Sequence, residues 1–356
     1  MSILDLARPE IRRLHAYAAA EQVDGTIRLN ANEAPRPAAI GNFRRPLNRY
    51  PEVRPLGLQR ALAERFGCDP EQLLVTRGSS EAIDLVIRAF CRAGEDAVLV
   101  TSPSFSMYRH YADIQGARLI EVPTRAEADF AIDVEAIMAA CDDATRLIFL
   151  CSPNNPTGTT LPRDDLEALL TQRGERSAIV VDEAYVEFGD NESVTSLLGC
   201  YDNLLVLRTL SKALGFAGAR CGGVAGPAAV IAMLAAVQAP YALATPVVEC
   251  VEDALQAREL ERARDAVAEI VSERKRMAIA LSRIGFVRKV WPSDANFLLV
   301  RFDDAPLIMR HCMEHRVLLR HFGGDLDDCI RITIGTPEEN DTLLDALAML
   351  GEPDHG

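Results

Sequence analysis

Short apolar runs alternate with amphipathic stretches from residue 73 onward. The runs lie in QLLVTRG, DAVLVTSP, RLIFLCSP, SAIVVDEA, NLLVLRTL and CGGVAG, and a turn signal closes each. Between them, apolar residues recur at three- and four-residue spacing in SEAIDLVIRAF, PRDDLEALLTQR and GPAAVIAMLAAV. That spacing lays an apolar stripe along one side of a helix. Runs that are apolar at every position suit strands buried on both faces, and strands separated by helices suit a largely parallel sheet. The texture changes near residue 249. VVECVEDALQARELERARDAVAEIVSERKRMAIALSRI reads as a long charged amphipathic helix with at most one break. NFLLVRF, a helix around 305–315, VLLRHF, CIRITIG and a last helix in PEENDTLLDALAML follow it. The pattern predicts an α/β fold, with a large domain over 46–248 whose mostly parallel sheet is flanked by helices. A smaller α+β domain over 249–356 completes it, and a proline-rich N-terminal arm, 1–45, is expected to pack on that second unit.

Composition changes this picture little. A chain of 356 residues, 49% of them hydrophobic, can fill a large core and a second one. The net charge of −14 argues against nonspecific nucleic-acid binding, although a few local arginines can still hold a small anion. Nine cysteines without a C-x-x-C pair fit reduced thiols, and no metal site is expected. MSILDLARPEIRRLHAY lacks the apolar core of a secretion signal, so a cytoplasmic location is expected. The stretch 221–248 carries no charge and matches a membrane span in length. Its three prolines, double glycine and many alanines argue instead for a buried strand, a helix and a buried loop. Neither a membrane nor a nucleic-acid partner is expected.

In an open parallel sheet, functional groups gather where strands end. After QLLVT comes Arg77-Gly78-Ser79-Ser80-Glu81, opening a helix. Its free N–H groups and two hydroxyls suit a phosphate, although the same residues also read as a capping box. After RLIFLC comes SPNNPTG, turn chemistry in which Asn155 can donate to an oxygen over the strand ends. After SAIVV comes Asp182, a carboxylate that burial obliges to find a partner: an arginine, a helix N-terminus or a protonated ring nitrogen. Three residues on, Tyr185 offers a phenol. After NLLVL comes RTLSK, with Lys212. Of 38 basic residues only three are lysine, and Lys275 and Lys289 lie in charged stretches typical of solvated surface. An amine near a cationic group such as Arg220 has a lowered pKa and attacks a carbonyl. A phosphate cradle, a carboxylate for a pyridinium, two donors for a phenolic oxygen and an amine together match pyridoxal 5′-phosphate.

The order of GSSEAIDLVIRAF, SPSFSMY, SPNNPTG, DEAYVEF, RTLSKALGFAGARCG and IRITIGT resembles the fold-type-I, pyridoxal-phosphate-dependent aminotransferases. LNANEAP at 29–35, NRYPE at 48–52 and APYALATP at 239–246 make the chain similar to their histidinol-phosphate aminotransferase branch. The likeness implies that Lys212 forms an imine with the cofactor aldehyde and moves the proton of the reaction. It implies that Asp182 pairs with the pyridine nitrogen, that Asn155 and Tyr185 contact the ring's 3′-oxygen, and that Tyr108 stacks on the ring. By the same likeness Ser79, Ser80, Thr209, Ser211 and Arg220 hold the cofactor phosphate, helped by Tyr50 from the other subunit of a homodimer. Substrate recognition falls to Tyr17, Asn32, Arg320 and Arg331. The implied reaction is transamination of L-histidinol phosphate with 2-oxoglutarate, giving imidazole-acetol phosphate and L-glutamate, a step of histidine biosynthesis. Guanidinium forks can take the anion of either substrate, so one site would serve both halves of a ping-pong cycle. RHFGGDLDD after Arg320, and an alanine in LNANEAP, depart from the branch's pattern. Two rivals therefore stay open: an aromatic amino acid aminotransferase, and a decarboxylase of a phosphorylated amino acid that uses the same cofactor. No G-x-G-x-x-G follows an early strand, as a dehydrogenase would require, and no basic segment suggests a DNA-binding regulator.

Overall fold

A computed structural model describes residues 3–15 and 43–351. Seven strands form one sheet: β1 (Leu73–Thr76), β2 (Ala97–Ser102), β3 (Arg118–Pro123), β4 (Thr145–Cys151), β5 (Ala178–Asp182), β6 (Leu204–Thr209) and β7 (Gly222–Ala225). Their spatial order is β1-β7-β6-β5-β4-β2-β3, and all but β7 run the same way. The uniform apolar runs explain the layers. Successive side chains of a strand point to opposite faces. Val180, Leu205, Leu207 and Phe149 enter one core, while Ile179, Val181, Val206 and Ile148 enter the other. Helices Ser79–Phe90, Met107–Gln115 and Ala228–Val237 cover the first face, and helices Leu56–Phe66, Arg163–Arg173 and Thr245–Ala254 the second.

β7 is antiparallel because the chain returns from β6 through a loop, with no crossover helix between them. Its double glycine is a packing requirement: a Cβ on Gly222 would sit 2.5 Å from the carbonyl oxygen of Arg208 on β6. No apolar run announced β3. It is an edge strand with Arg118 and Glu121 exposed, and exposed polar positions are usual on edges.

The second unit is an antiparallel sheet of β8 (Val287–Val290), β9 (Phe297–Phe302), β10 (Arg320–His321) and β11 (Cys329–Thr333), in the order β10-β11-β9-β8. Helices Ala257–Leu281, Ala305–Glu314 and Pro337–Gly351 pack on it around Met277, Leu298, Val300, Ile308 and Leu347. The long charged stretch is broken once, at Leu255–Gln256. Val248 and Val251 still belong to the core of the large sheet, so its packing extends past residue 249 toward this break.

For residues 3–15 the structure differs from the expectation that the arm packs on the second unit, whereas Arg44 and Arg45 do bond Glu249, Glu252 and Asp253, and residues 16–42 lie outside the described residues. Ile3, Ala7 and Ile11 recur every four residues and enter the core of the large sheet beside Leu85 and Phe90. The Arg8 N–H donates to the Ala89 carbonyl at 3.0 Å. The uncharged stretch 221–248 forms β7, the Ala228–Val237 helix and a loop, but that loop is not buried: Ala239, Pro240 and Ala244 are exposed. No helix among the described residues is long and apolar enough to cross a membrane.

Candidate active site

Parallel direction brings the ends of β4, β5 and β6 to one edge of the sheet, where a cavity of about 550 Å³ opens. That volume is usual for a small-molecule site. Strand alternation decides which side chains reach it. Cys151, Asp182 and Thr209 continue the face that carries Phe149, Val180 and Leu207, and all three line the cavity.

Asp182 is 2% exposed. The Tyr108 hydroxyl donates to its Oδ2 at 2.9 Å and the Ala184 N–H to its Oδ1 at 3.1 Å. Burial pushes its carboxyl up to about 6, against the opposite pull of those two hydrogen bonds and of Lys212. Lys212 stands in the loop from β6 to β7. Its side chain reaches solvent through the cavity, yet surrounding protein lowers its pKa. Arg331 and Arg220 push in the same direction and Asp182 opposes them. The Lys212 Nζ lies 5.4 Å from the centroid of the Tyr185 ring. Tyr185 is buried edge-on against Phe297, with centroids 5.2 Å apart, and burial raises its hydroxyl pKa.

Ser79 and Ser80 line the cavity at the start of their helix. A capping box does not form there. Gly78 is the N-cap with no side-chain hydrogen bond, and Glu81 instead accepts from the Arg77 N–H at 2.6 Å and from the Arg77 guanidinium at 2.7 Å. The positive end of the helix is left to the cavity. Gly78 has φ +75°, and a Cβ there would meet the Arg220 guanidinium at 2.9 Å. The Thr209 hydroxyl donates to Ser211 Oγ at 2.9 Å, beside the same cavity.

The second unit supplies the opposite wall. The Arg331 guanidinium donates to Asn155 Oδ1 at 2.5 Å, and its Nε is buried without a hydrogen-bond partner. Burial lowers the pKa of Arg331, and nearby Arg320 adds to the effect. Arg320 lies directly across the β10–β11 ladder from Arg331, and both line the cavity.

Tyr108 requires a correction. It falls in the first turn of the Met107–Gln115 helix, whose inner side packs on the sheet. The ring is 1% exposed, stacked on Phe149 at 5.0 Å, and absent from the cavity wall. Phe105, three residues earlier in the loop after β2, lines the cavity instead. Phe322, two residues after Arg320, also lines it and carried no signal beyond its place in an unfamiliar stretch. Tyr50 is half exposed, stacked on Tyr241 at 4.7 Å, and does not line this chain's cavity. Tyr17 and Asn32 lie outside the described residues.

A buried carboxylate, an amine of lowered pKa and an open helix N-terminus at the strand ends, faced by arginines of a smaller domain, describe a site for amino-group transfer. The family model for aminotransferases of class I and II matches residues 26–347, and the chain belongs to that family. Within it the kinship is narrower. The histidinol-phosphate aminotransferase of Xanthomonas campestris pv. campestris (strain 8004) is 46% identical over 355 residues, spanning 97% of each chain. That of Xylella fastidiosa (strain 9a5c) is 45% identical over 354 residues, 97% of this chain and 96% of the other. The histidinol-phosphate aminotransferases are thus the branch into which the chain falls. The crystal structure of the Sinorhizobium meliloti histidinol-phosphate aminotransferase, in complex with pyridoxal 5′-phosphate, shares the fold, with a TM-score of 0.77, 24% identity and coverage of 85% and 84%.

Proposed function

We propose that the protein transfers the amino group of L-histidinol phosphate to 2-oxoglutarate, yielding imidazole-acetol phosphate and L-glutamate in histidine biosynthesis, with pyridoxal 5′-phosphate as cofactor. The observation that carries this is one cavity shared by Lys212, Asp182 and the arginine pair Arg320 and Arg331. The residues present fit the cofactor. A guanidinium, an uncapped helix N-terminus and the hydroxyls of Ser79, Ser80, Thr209 and Ser211 suit its phosphate. Asp182, costly to keep ionised while buried, suits a cationic ring nitrogen. Phe105 takes the ring-covering place that burial denies to Tyr108.

When bound, the cofactor supplies an aldehyde that carries the amino group and a ring that takes up electron density from the substrate's α-carbon. The chain's own residues bind, orient and move protons. Lys212, shifted toward its neutral form, would take up at Nζ the proton leaving the amino donor's α-carbon and pass it to the cofactor's aldehyde carbon within the same half-reaction, and would carry a proton the opposite way in the second. Asp182 would keep a proton at the ring nitrogen, and Asn155 and Tyr185, which line the same cavity, would hold the ring oxygen. Arg320 and Arg331 bind the donor's phosphate in one half-reaction and a carboxylate in the other.

A homodimer belongs to the same proposal, with Tyr50 reaching the partner's cofactor phosphate. Support comes from Tyr50 lying off its own cavity wall. Further support comes from a groove of about 340 Å³ lined by Pro55, Leu56, Ile231, Ala235 and Leu243, next to the exposed uncharged loop. The test is spectroscopic. The absorbance band of the purified holoenzyme should vanish with histidinol phosphate and return with 2-oxoglutarate. Faster bleaching by phenylalanine would favour the aromatic rival, and CO₂ release without a keto product the decarboxylase.

A further inference from the structure

Arg320 and Arg331 stand directly opposite on neighbouring strands, and like charges in that relation repel. Arg331 is held from several sides. It donates to Asn155 at 2.5 Å and lies 5.3 Å from the Phe297 ring centroid and 6.0 Å from that of Phe322. Arg320 is exposed, and its guanidinium lies 5.7 Å from the same Phe322 ring. Both cations thus lie within reach of one ring, 5.7 Å and 6.0 Å from its centroid, at distances where such contacts attract. It lines the cavity, and it packs against the buried cluster of Phe130, Trp291, Leu299, Leu326 and Cys329. The platform is therefore anchored from behind.

We propose that Phe322 is a specificity-determining positioning residue: its ring holds the guanidinium of Arg320 beside that of Arg331, making a paired-cation end fitted to a phosphate. This rests on the proposed reaction. A carboxylate has two oxygens, which one bidentate guanidinium satisfies. A phosphate monoester presents three acceptor oxygens and up to two negative charges, and it gains from a second fork. Releasing Arg320 therefore costs the phosphorylated amino donor more than it costs glutamate.

The test uses holoenzyme and measures the two half-reactions separately by cofactor absorbance. Phe322→Leu is expected to raise the half-saturation concentration for histidinol phosphate by roughly tenfold and that for glutamate by less than about threefold. Phe322→Met should show the same split, and Phe322→Tyr, which keeps the ring, should restore the wild-type ratio. In an Arg320→Ala background, Phe322→Leu should add nothing to the loss. Inorganic phosphate, as a competitor of the glutamate half-reaction, should weaken as an inhibitor by about the same factor. That readout needs no particular amino donor. A wild-type enzyme indifferent to histidinol phosphate would defeat the proposed reaction while leaving the phosphate competition to judge Phe322. Equal losses for both substrates, an unrestored ratio in a Phe322→Tyr variant that keeps its cofactor band, or full additivity with Arg320→Ala would overturn the role of Phe322.

Discussion

Tyr108 shows what a single side chain does when its helix phase turns it inward. The residue was visible in SPSFSMY, but its function depended on which side of the Met107–Gln115 helix meets the sheet. That packing sends the hydroxyl to Asp182 rather than the ring to the cavity. Tyr108→Phe should keep the stack on Phe149 and remove a hydrogen bond to a charged group, a loss of about 1.5–3 kcal/mol. The expected result is a melting temperature lowered by several degrees together with a fall in kcat of roughly tenfold, read by calorimetry and single-turnover kinetics. Asp182 itself has a pH signature in the cofactor-free protein. Its carboxyl is raised from 3.8 to about 6. Between those values the native state binds a proton that the unfolded chain does not, so this group adds stability as pH falls through the window and loses it as pH rises through about 6. The contribution is up to about 3 kcal/mol. Urea unfolding of wild type and Asp182→Asn at pH 7 and pH 5 should show the difference, with the asparagine variant lacking that share of the slope. The placement of Lys212 and Asp182 at the strand ends was legible from residue type and position after an apolar run. The depressed pKa of the one and the raised pKa of the other required burial to be seen.

At the scale of elements, strand ends and helix starts set the site. Asp182 and Glu183 are neighbours in sequence, and alternation turns them to opposite faces of the sheet. Behind the site, Glu183 is buried with Arg208, 3.5 Å away, and also accepts from the Val194 N–H at 2.7 Å. Removing one member of a buried pair strands the other's charge. Arg208→Met should therefore destabilise the protein by about 3 kcal/mol or more, measured by denaturant unfolding. Gly78 opens the Ser79–Phe90 helix at φ +75°, with Arg220 where a Cβ would stand. Gly78→Ala should cost about 1–2 kcal/mol in strain and displace the guanidinium. Equilibrium titration should then show cofactor affinity reduced by roughly tenfold or more. Buried strands β1, β2, β4, β5 and β6 were readable as apolar runs. Edge strands β3 and β8 were not, because their exposed Arg118, Glu121 and Arg288 erase the run. The reversal of β7 could not be read either, since a strand's direction is set by the connection before it and not by its own residues.

Across the whole molecule, the two units meet at the cavity. Asn155 of the large sheet's edge bonds Arg331 of the small sheet. From the Ala257–Leu281 helix, Arg274 donates to the carbonyls of Phe188 at 3.0 Å and Ala295 at 2.7 Å, one in each unit. The packing of residues 3–15 on the large sheet was hidden from composition and is plain from the spacing of Ile3, Ala7 and Ile11 once that partner is known. The proposed exchange of Tyr50 between subunits has a quantitative consequence. If each site takes its lysine from one chain and Tyr50 from the other, reassembling Lys212→Ala with Tyr50→Ala chains should restore about a quarter of wild-type activity, from one intact site in half of the dimers. No recovery above the Tyr50→Ala baseline would place that tyrosine within its own subunit or outside the site.

The central claim is that Lys212, alone among three lysines, carries the cofactor. Borohydride reduction of holoenzyme followed by peptide mass spectrometry tests it most directly. The account predicts one stoichiometric pyridoxyl modification, on the peptide that contains Lys212. The same modification on Lys275 or Lys289, or none in protein that retains its cofactor band, would contradict it.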